Sequence, residues 1–202
     1  MEYSTNNDAK GFQALDYLLN QPTLSDQEHV DYFVNNDNAT SYVLDITTNL
    51  LENSQAVVDN WATYRSNFKG NNSSNAAGSS VSNLVNGLCS YYETYIRKGK
   101  IGLPLGVFNG FSQQELPHLV ECYYSGKSFQ NALRSISSIR KFINGSSYTA
   151  NDNGLGLDDY MNFVNAELNL EQLSTVIDNQ IVTILDELDN YNITLSEEIM
   201  TN

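Results

Sequence analysis

The chain has 202 residues, 41% of them hydrophobic, enough to bury a sizeable core. Its 24 acidic residues outweigh 10 basic ones, giving a formal charge of −14, which disfavours a nucleic-acid or anionic-membrane surface and fits a cation or a basic protein better. No apolar run approaches the ~18 residues of a membrane-spanning helix, and three prolines among long helical patterns argue against an all-β fold.

The first eight residues, Met1 to Asp8, are polar and acidic where an export signal would be basic and then apolar. Asp8 is placed to cap a helix running to about Asn20, which Gln21-Pro22 interrupts because the residue before proline disfavours helical geometry. From Ala39, apolar residues recur at Val43, Ile46, Leu50, Val57, Trp61, Tyr64 and Phe68, with Ser54 filling the one gap. That spacing predicts one buried stripe on a helix of about 30 residues, roughly 45 Å long.

Residues 70–80 are small and polar and read as a flexible surface loop. Val81, Leu84, Leu88, Tyr92 and Tyr95 then mark the buried side of a helix ended by Gly99. The glycine-rich apolar stretch from Ile101 to Phe111 suggests close backbone packing, either as a connector or at a ligand. Ser112-Gln113-Gln114-Glu115 resembles a capping box opening a short helix through Tyr124.

Phe129, Leu133, Ile136 and Ile139 predict a helix over 128–142, closed by Gly145. A short helix over 158–166 leads into a last long one with Leu170, Leu173, Ile177, Ile181, Ile184, Leu188 and Tyr191 in step. The expected architecture is all-α: an antiparallel bundle of about four main helices plus short ones, forming one domain over 1–202 that includes residues 1–24 as its opening segment.

Few side chains offer chemistry. Gln13 and Asp16 lie three apart on the first predicted helix and share a face; so would His118 and Glu121 on the helix predicted there. Either pair offers two potential metal ligands, fewer than a tetrahedral zinc site requires. Hydrolysis by a zinc-activated water is disfavoured, since His29 and His118 are the only histidines. Cys89 and Cys122 lack CxxC spacing and read as two buried thiols or one bridge. Thirteen tyrosines, including Tyr91-Tyr92 and Tyr123-Tyr124, suit core packing, a ligand cleft or an interface.

The segment Gly11-Phe12-Gln13-Ala14-Leu15-Asp16-Tyr17-Leu18-Leu19 resembles the Gly-x-His-x-x-Glu signature of the imelysin-like (M75 peptidase-like) family, with Gln13 in place of His and Asp16 in place of Glu. The likeness continues in order through Trp61, Tyr64-Arg65, Lys100 to Gly106, Glu121 to Ser128 and Gly154 to Tyr160. These stretches are similar to a Bacteroidetes-type member, and the chain resembles the C-terminal half of that architecture.

The resemblance implies an envelope or periplasmic protein, lipid-anchored in its full-length form, with its signal and a first helical half outside this chain. It implies association with iron or metal uptake, with a divalent metal held only weakly because a neutral amide and a shorter carboxylate replace the usual ligands. The expected function is therefore non-catalytic envelope binding. A metal-dependent peptidase and a structural interaction domain are the alternatives. The expected partner is a protein: the missing half or a second copy of this chain.

Overall fold

A computed structural model describes residues 9–71, 78–147 and 153–201. The chain is all-α, with one two-stranded ribbon among the described residues. Its contacts gather into two compact units, Met1–Tyr95 with Glu121–Gly126, and Ile96–Val120 with Lys127–Asn202. The predicted loop over 70–80 falls largely on residues 72–77, outside the described residues, as does the predicted Asp8 cap.

In the first unit, α1 (Gly11–Leu19) and α2 (Asp26–Val34) pack on α3 (Asp37–Gly70). Sequence periodicity missed α2, whose nine residues are too few to show a clear period. Its start is nonetheless written in the sequence: the Ser25 hydroxyl accepts from the Glu28 N–H, while the Glu28 carboxylate accepts from the Ser25 N–H at 2.7 Å, a complete capping box. The Ser25–Gln21 turn is closed by His29, whose Nε2 accepts the Gln21 N–H at 3.1 Å while Nδ1 lies 3.2 Å from the Ser25 carbonyl.

The core of this unit is Ala14, Leu18 and Ile46, flanked by Leu15, Phe33, Tyr42, Val43 and Leu50. The Tyr42 hydroxyl adds a 2.6 Å hydrogen bond to the Ala9 carbonyl. The predicted stripe on α3 is thus buried only as far as Leu50. Beyond it Val57, Trp61 and Tyr64 are 65%, 57% and 56% exposed. A nine-residue α1 is about 13 Å long and cannot cover a 34-residue helix of about 51 Å.

Ser79 caps α4 (Ser80–Tyr91), and the chain continues without a break as a π-helix over Tyr92–Gly102. The predicted stop at Gly99 is therefore overturned. In these wider i→i+5 turns Ile96 is buried, whereas Tyr95, the expected position, is exposed. Neither cysteine is buried or bridged; Cys89 is exposed and Cys122 half-buried.

In the second unit, the π-helix leads into a tight connector. The Phe108 ring packs directly on Gly102, where any Cβ would collide with it, and the Arg97 guanidinium lies 5.0 Å above the same ring. The predicted helix over 112–124 does not form. Gln113 adopts φ +43°, Ser112 donates to the Asn109 carbonyl, and Pro117 permits only a 3-10 turn over Pro117–Leu119.

Next, α5 (Ser128–Ile143) pairs antiparallel with α7 (Leu173–Asp189). Phe129 at the start of α5 stacks on Tyr191 just past the end of α7, ring centroids 4.6 Å apart, and Arg140 near the end of α5 reaches Asp178 near the start of α7. Between them lie Ala132, Ile136, Ile139 and Ile181, all buried. Helix α6 (Leu157–Phe163) precedes the ribbon of β1 (Glu167–Leu168) and β2 (Glu171–Gln172). Its turn places Asn169 and Leu170 both at positive φ, so Leu170 belongs to a hairpin and not to the last helix.

A final helix that periodicity missed, α8 (Leu195–Thr201), starts from reciprocal bonds between Thr194 and Glu197. It buries Leu195 and Ile199 against Val120 and Phe129.

The Arg140 and Asp178 side chains form a two-pronged pair, Nε to Oδ1 at 2.7 Å and Nη2 to Oδ2 at 2.9 Å. Hydrogen bonds from Arg140 hold the Asp178 carboxyl below its ordinary value, burial opposes the shift, and the Arg140 charge adds to it. A depressed folded value means the pair stabilises the fold above the unfolded carboxyl pKa of about 3.9 and is lost as pH falls through the lower folded value. Both side chains are over a third exposed, so solvent screening limits the contribution. Arg140→Gln is expected to cost about 0.5–1 kcal/mol in denaturant unfolding at neutral pH, with the difference shrinking once the medium is acidic enough to protonate Asp178.

Candidate functional site

Helix α1 enters abruptly: Lys10 is extended and Gly11 sits at φ +73°, a conformation that glycine adopts without strain. That entry puts Gln13 and Asp16 on one side of the helix and Ala14 and Leu18 in the core. Asp16 is 7% exposed, a charge withdrawn from water, so it requires donors.

The loop Glu121–Gly126 supplies them. The Gln13 Oε1 accepts the Cys122 N–H at 3.0 Å, Asp16 Oδ2 accepts the Tyr124 N–H at 2.9 Å, and Oδ1 accepts the Ser125 N–H at 3.2 Å. Cys122 at φ +52° and Gly126 at φ +67° curl the loop, and the Gly126 N–H closes it on the Cys122 carbonyl at 3.0 Å. Such a curl turns successive amides inward as an anion-binding concavity. Here the anion is the protein's own Asp16.

Three tyrosines surround this clamp. Tyr17 from α1 meets Tyr124 edge-on at 5.0 Å, and Tyr123 meets Tyr124 edge-on at 5.2 Å. All three remain partly exposed. Tyr123 and Tyr124 stand on a loop whose backbone is fixed by α1, and Tyr17 stands on that helix.

The two proposed ligand pairs fare differently. Gln13 and Asp16 are brought together as their spacing predicted, but their acceptor oxygens are engaged by backbone amides. His118, exposed on its 3-10 turn, does not share a helical face with Glu121, because Val120 between them is extended at φ −64°, ψ 144°. Among the described residues no three His, Cys, Asp or Glu side chains gather closely enough to hold a metal ion. Of the pair on α1, Gln13 is a neutral amide and Asp16 a carboxylate with each oxygen already accepting an amide. The tyrosine cluster was foreshadowed only by the Tyr123-Tyr124 pair; Tyr17 joins it through a contact more than a hundred residues away in sequence.

Removing the carboxylate leaves two amides without their charged acceptor. Asp16→Ala should cost about 3 kcal/mol, and Asp16→Asn, which keeps one oxygen, about half as much. In both, amide hydrogen exchange at Tyr124 and Ser125 should accelerate well before that in α5.

No curated protein and no solved structure matches the chain. The model of one family does, over residues 2–202, nearly the whole length: Imelysin, peptidase M75. With Gly11, the clamp positions Gln13 and Asp16 and the Glu121–Gly126 loop all inside that match, the chain belongs to the imelysin family.

Proposed function

We propose that this chain is a non-catalytic binding protein of the cell envelope, in which the signature positions fix a recognition loop and hold no metal. The observation that carries this reading is the engagement of Gln13 and both Asp16 oxygens by the amides of Cys122, Tyr124 and Ser125. Each Asp16 oxygen already shares its electron density with an amide, and an amide oxygen such as that of Gln13 is a poor ligand for zinc or ferrous iron. What the clamp displays instead is the Tyr17, Tyr123 and Tyr124 surface, rich in the residue type that recurs at binding interfaces. Family resemblance supports a periplasmic, lipid-anchored setting in the service of iron or metal uptake as part of this proposal.

A peptidase of the metal-dependent kind needs a bound ion and a general base, and the donor set around α1 supports neither. The interaction-domain reading keeps one specific support: the uncovered apolar stripe of Val57, Trp61 and Tyr64 on α3, a surface that fits a protein partner, either a further helical segment or a second copy.

Metal binding decides between the first two readings. In calorimetric titration with zinc or ferrous iron, the wild-type chain should show no stoichiometric site tighter than the millimolar range, and chelator should leave its unfolding midpoint unchanged. The Gln13→His, Asp16→Glu double variant should gain affinity. Stoichiometric micromolar binding by the wild type, or peptide hydrolysis abolished by chelator and by Asp16→Ala, would contradict the proposal.

A further inference from the structure

The buried row of α7 changes character along its length. Ile181 is buried and Leu188 packs beside Phe129, whereas Asp178 and Ser174, one and two turns earlier, are polar, and Ser174 is buried about as deeply as Ile181. Arg140 and Asn144, one turn apart at the end of α5, meet that polar stretch. There α5, α6 and α7 enclose a cleft of about 230 Å³, and every side chain that lines it is polar.

The walls follow from helical spacing. Asp158 and Asn162 stand one turn apart on α6, and Thr175 and Asn179 stand one turn apart on α7, beside the row of Ser174 and Asp178. Part of this polarity is used within the protein. Both Asp178 oxygens accept from Arg140, and the Asn144 amide donates to the same carboxylate. Ser174 donates to Asn162 Oδ1 at 2.6 Å, which leaves the Asn162 amide nitrogen as a donor. Asp158 Oδ1 accepts the Asp159 N–H at 2.8 Å, and its Oδ2 has no partner among the described residues. The Thr175 hydroxyl and the Asn179 side-chain amide likewise form no hydrogen bond among the described residues.

The chemistry left over narrows the ligand. Asn162 and Asn179 offer N–H donors, Asp158 and Asn179 offer oxygens, and Thr175 offers a hydroxyl that does both. Of the two carboxylates, Asp178 is answered by Arg140 and Asp158 by no cation among the described residues, which disfavours an organic anion. A calcium ion takes about six to eight oxygens, and here both Asp178 oxygens are already held by a guanidinium. Neighbouring donors and acceptors suit a neutral ligand whose own groups each donate and accept, which is the property of a hydroxyl.

We propose that this cleft binds the ring of a neutral monosaccharide. Asp158 accepts from one or two adjacent hydroxyls, while Asn162, Thr175 and Asn179 donate to and accept from the others. At about 230 Å³ the cleft is smaller than the ~300–1,000 Å³ of drug-sized pockets and has room for a single sugar ring. The site lies wholly within the second unit and does not depend on the reading of the α1 clamp.

The test is a titration of the full chain with glucose, galactose, mannose and N-acetylglucosamine in turn, followed by amide NMR. At least one should give saturable shifts centred on Asn162, Thr175 and Asn179 in the millimolar range. Tetrahydropyran-2-methanol, a ring of the same size with a single hydroxyl, should bind at least about tenfold more weakly than that sugar. Asp158→Ala and Asn179→Ala should each weaken the sugar about tenfold. Both side chains stand at the cleft surface, so the variants should retain the wild-type helical spectrum. Absence of saturable shifts with all four sugars, binding indifferent to both substitutions, or the single-hydroxyl ring binding as tightly would each overturn the assignment. Calcium moving the same amides where no sugar does would overturn it as well.

Discussion

A carboxylate taken out of water must be met by donors, and Asp16 is met by two consecutive backbone amides from a loop more than a hundred residues further along the chain. Much of the first unit depends on that requirement. It fixes which face of α1 turns to the loop, and so which face presents Ala14 and Leu18 to Ile46 of α3. It also fixes the conformation of the loop, whose Cys122 is held in left-handed geometry while Gln13 takes its N–H. A lone buried carboxylate would be strongly destabilising; bonded to the concavity of amides, it becomes the anion that the loop is shaped to receive.

The same observation bears on what these two helix positions do in this chain. Glutamine and aspartate accept hydrogen bonds at the helix positions where the family signature has histidine and glutamate. They satisfy loop amides well, and they make a poor pair of metal ligands. Membership in the imelysin family follows from a match over residues 2–202; the role proposed for this member rests on where its own oxygens point.

Much of the fold was legible because apolar periodicity is a direct imprint of burial. It located α1, α3, α5 and α7 to within a few residues. It failed where local chemistry sets the structure. Helices α2 and α8 are only nine and seven residues long, too short for a clear period, yet each opens with a Ser/Thr-x-x-Glu capping box, at Ser25 and Thr194. The similar pattern at Ser112 misled, because Pro117 stands where the helix would have to continue. After Tyr91 the chain continues as a π-helix in which Ile96 is buried and Tyr95 is exposed, and spacing alone did not choose between these i+3 and i+4 positions after Tyr92. The α3 stripe lies uncovered at Val57, Trp61 and Tyr64 because sequence shows which face is apolar and not what is long enough to cover it. At the candidate site, the pairing of Gln13 with Asp16 was readable from spacing. Their partners were not, since backbone amides of a distant loop leave no mark in side-chain pattern.

The central claim concerns two bonds, and they can be observed directly. In NMR of the isotopically labelled chain, scalar coupling through the hydrogen bonds should connect the Tyr124 and Ser125 amide nitrogens to the Asp16 side-chain carboxyl carbon. The account predicts that both couplings persist in excess zinc. Their absence in the metal-free chain, or their loss as zinc occupies the Asp16 carboxylate, would contradict it.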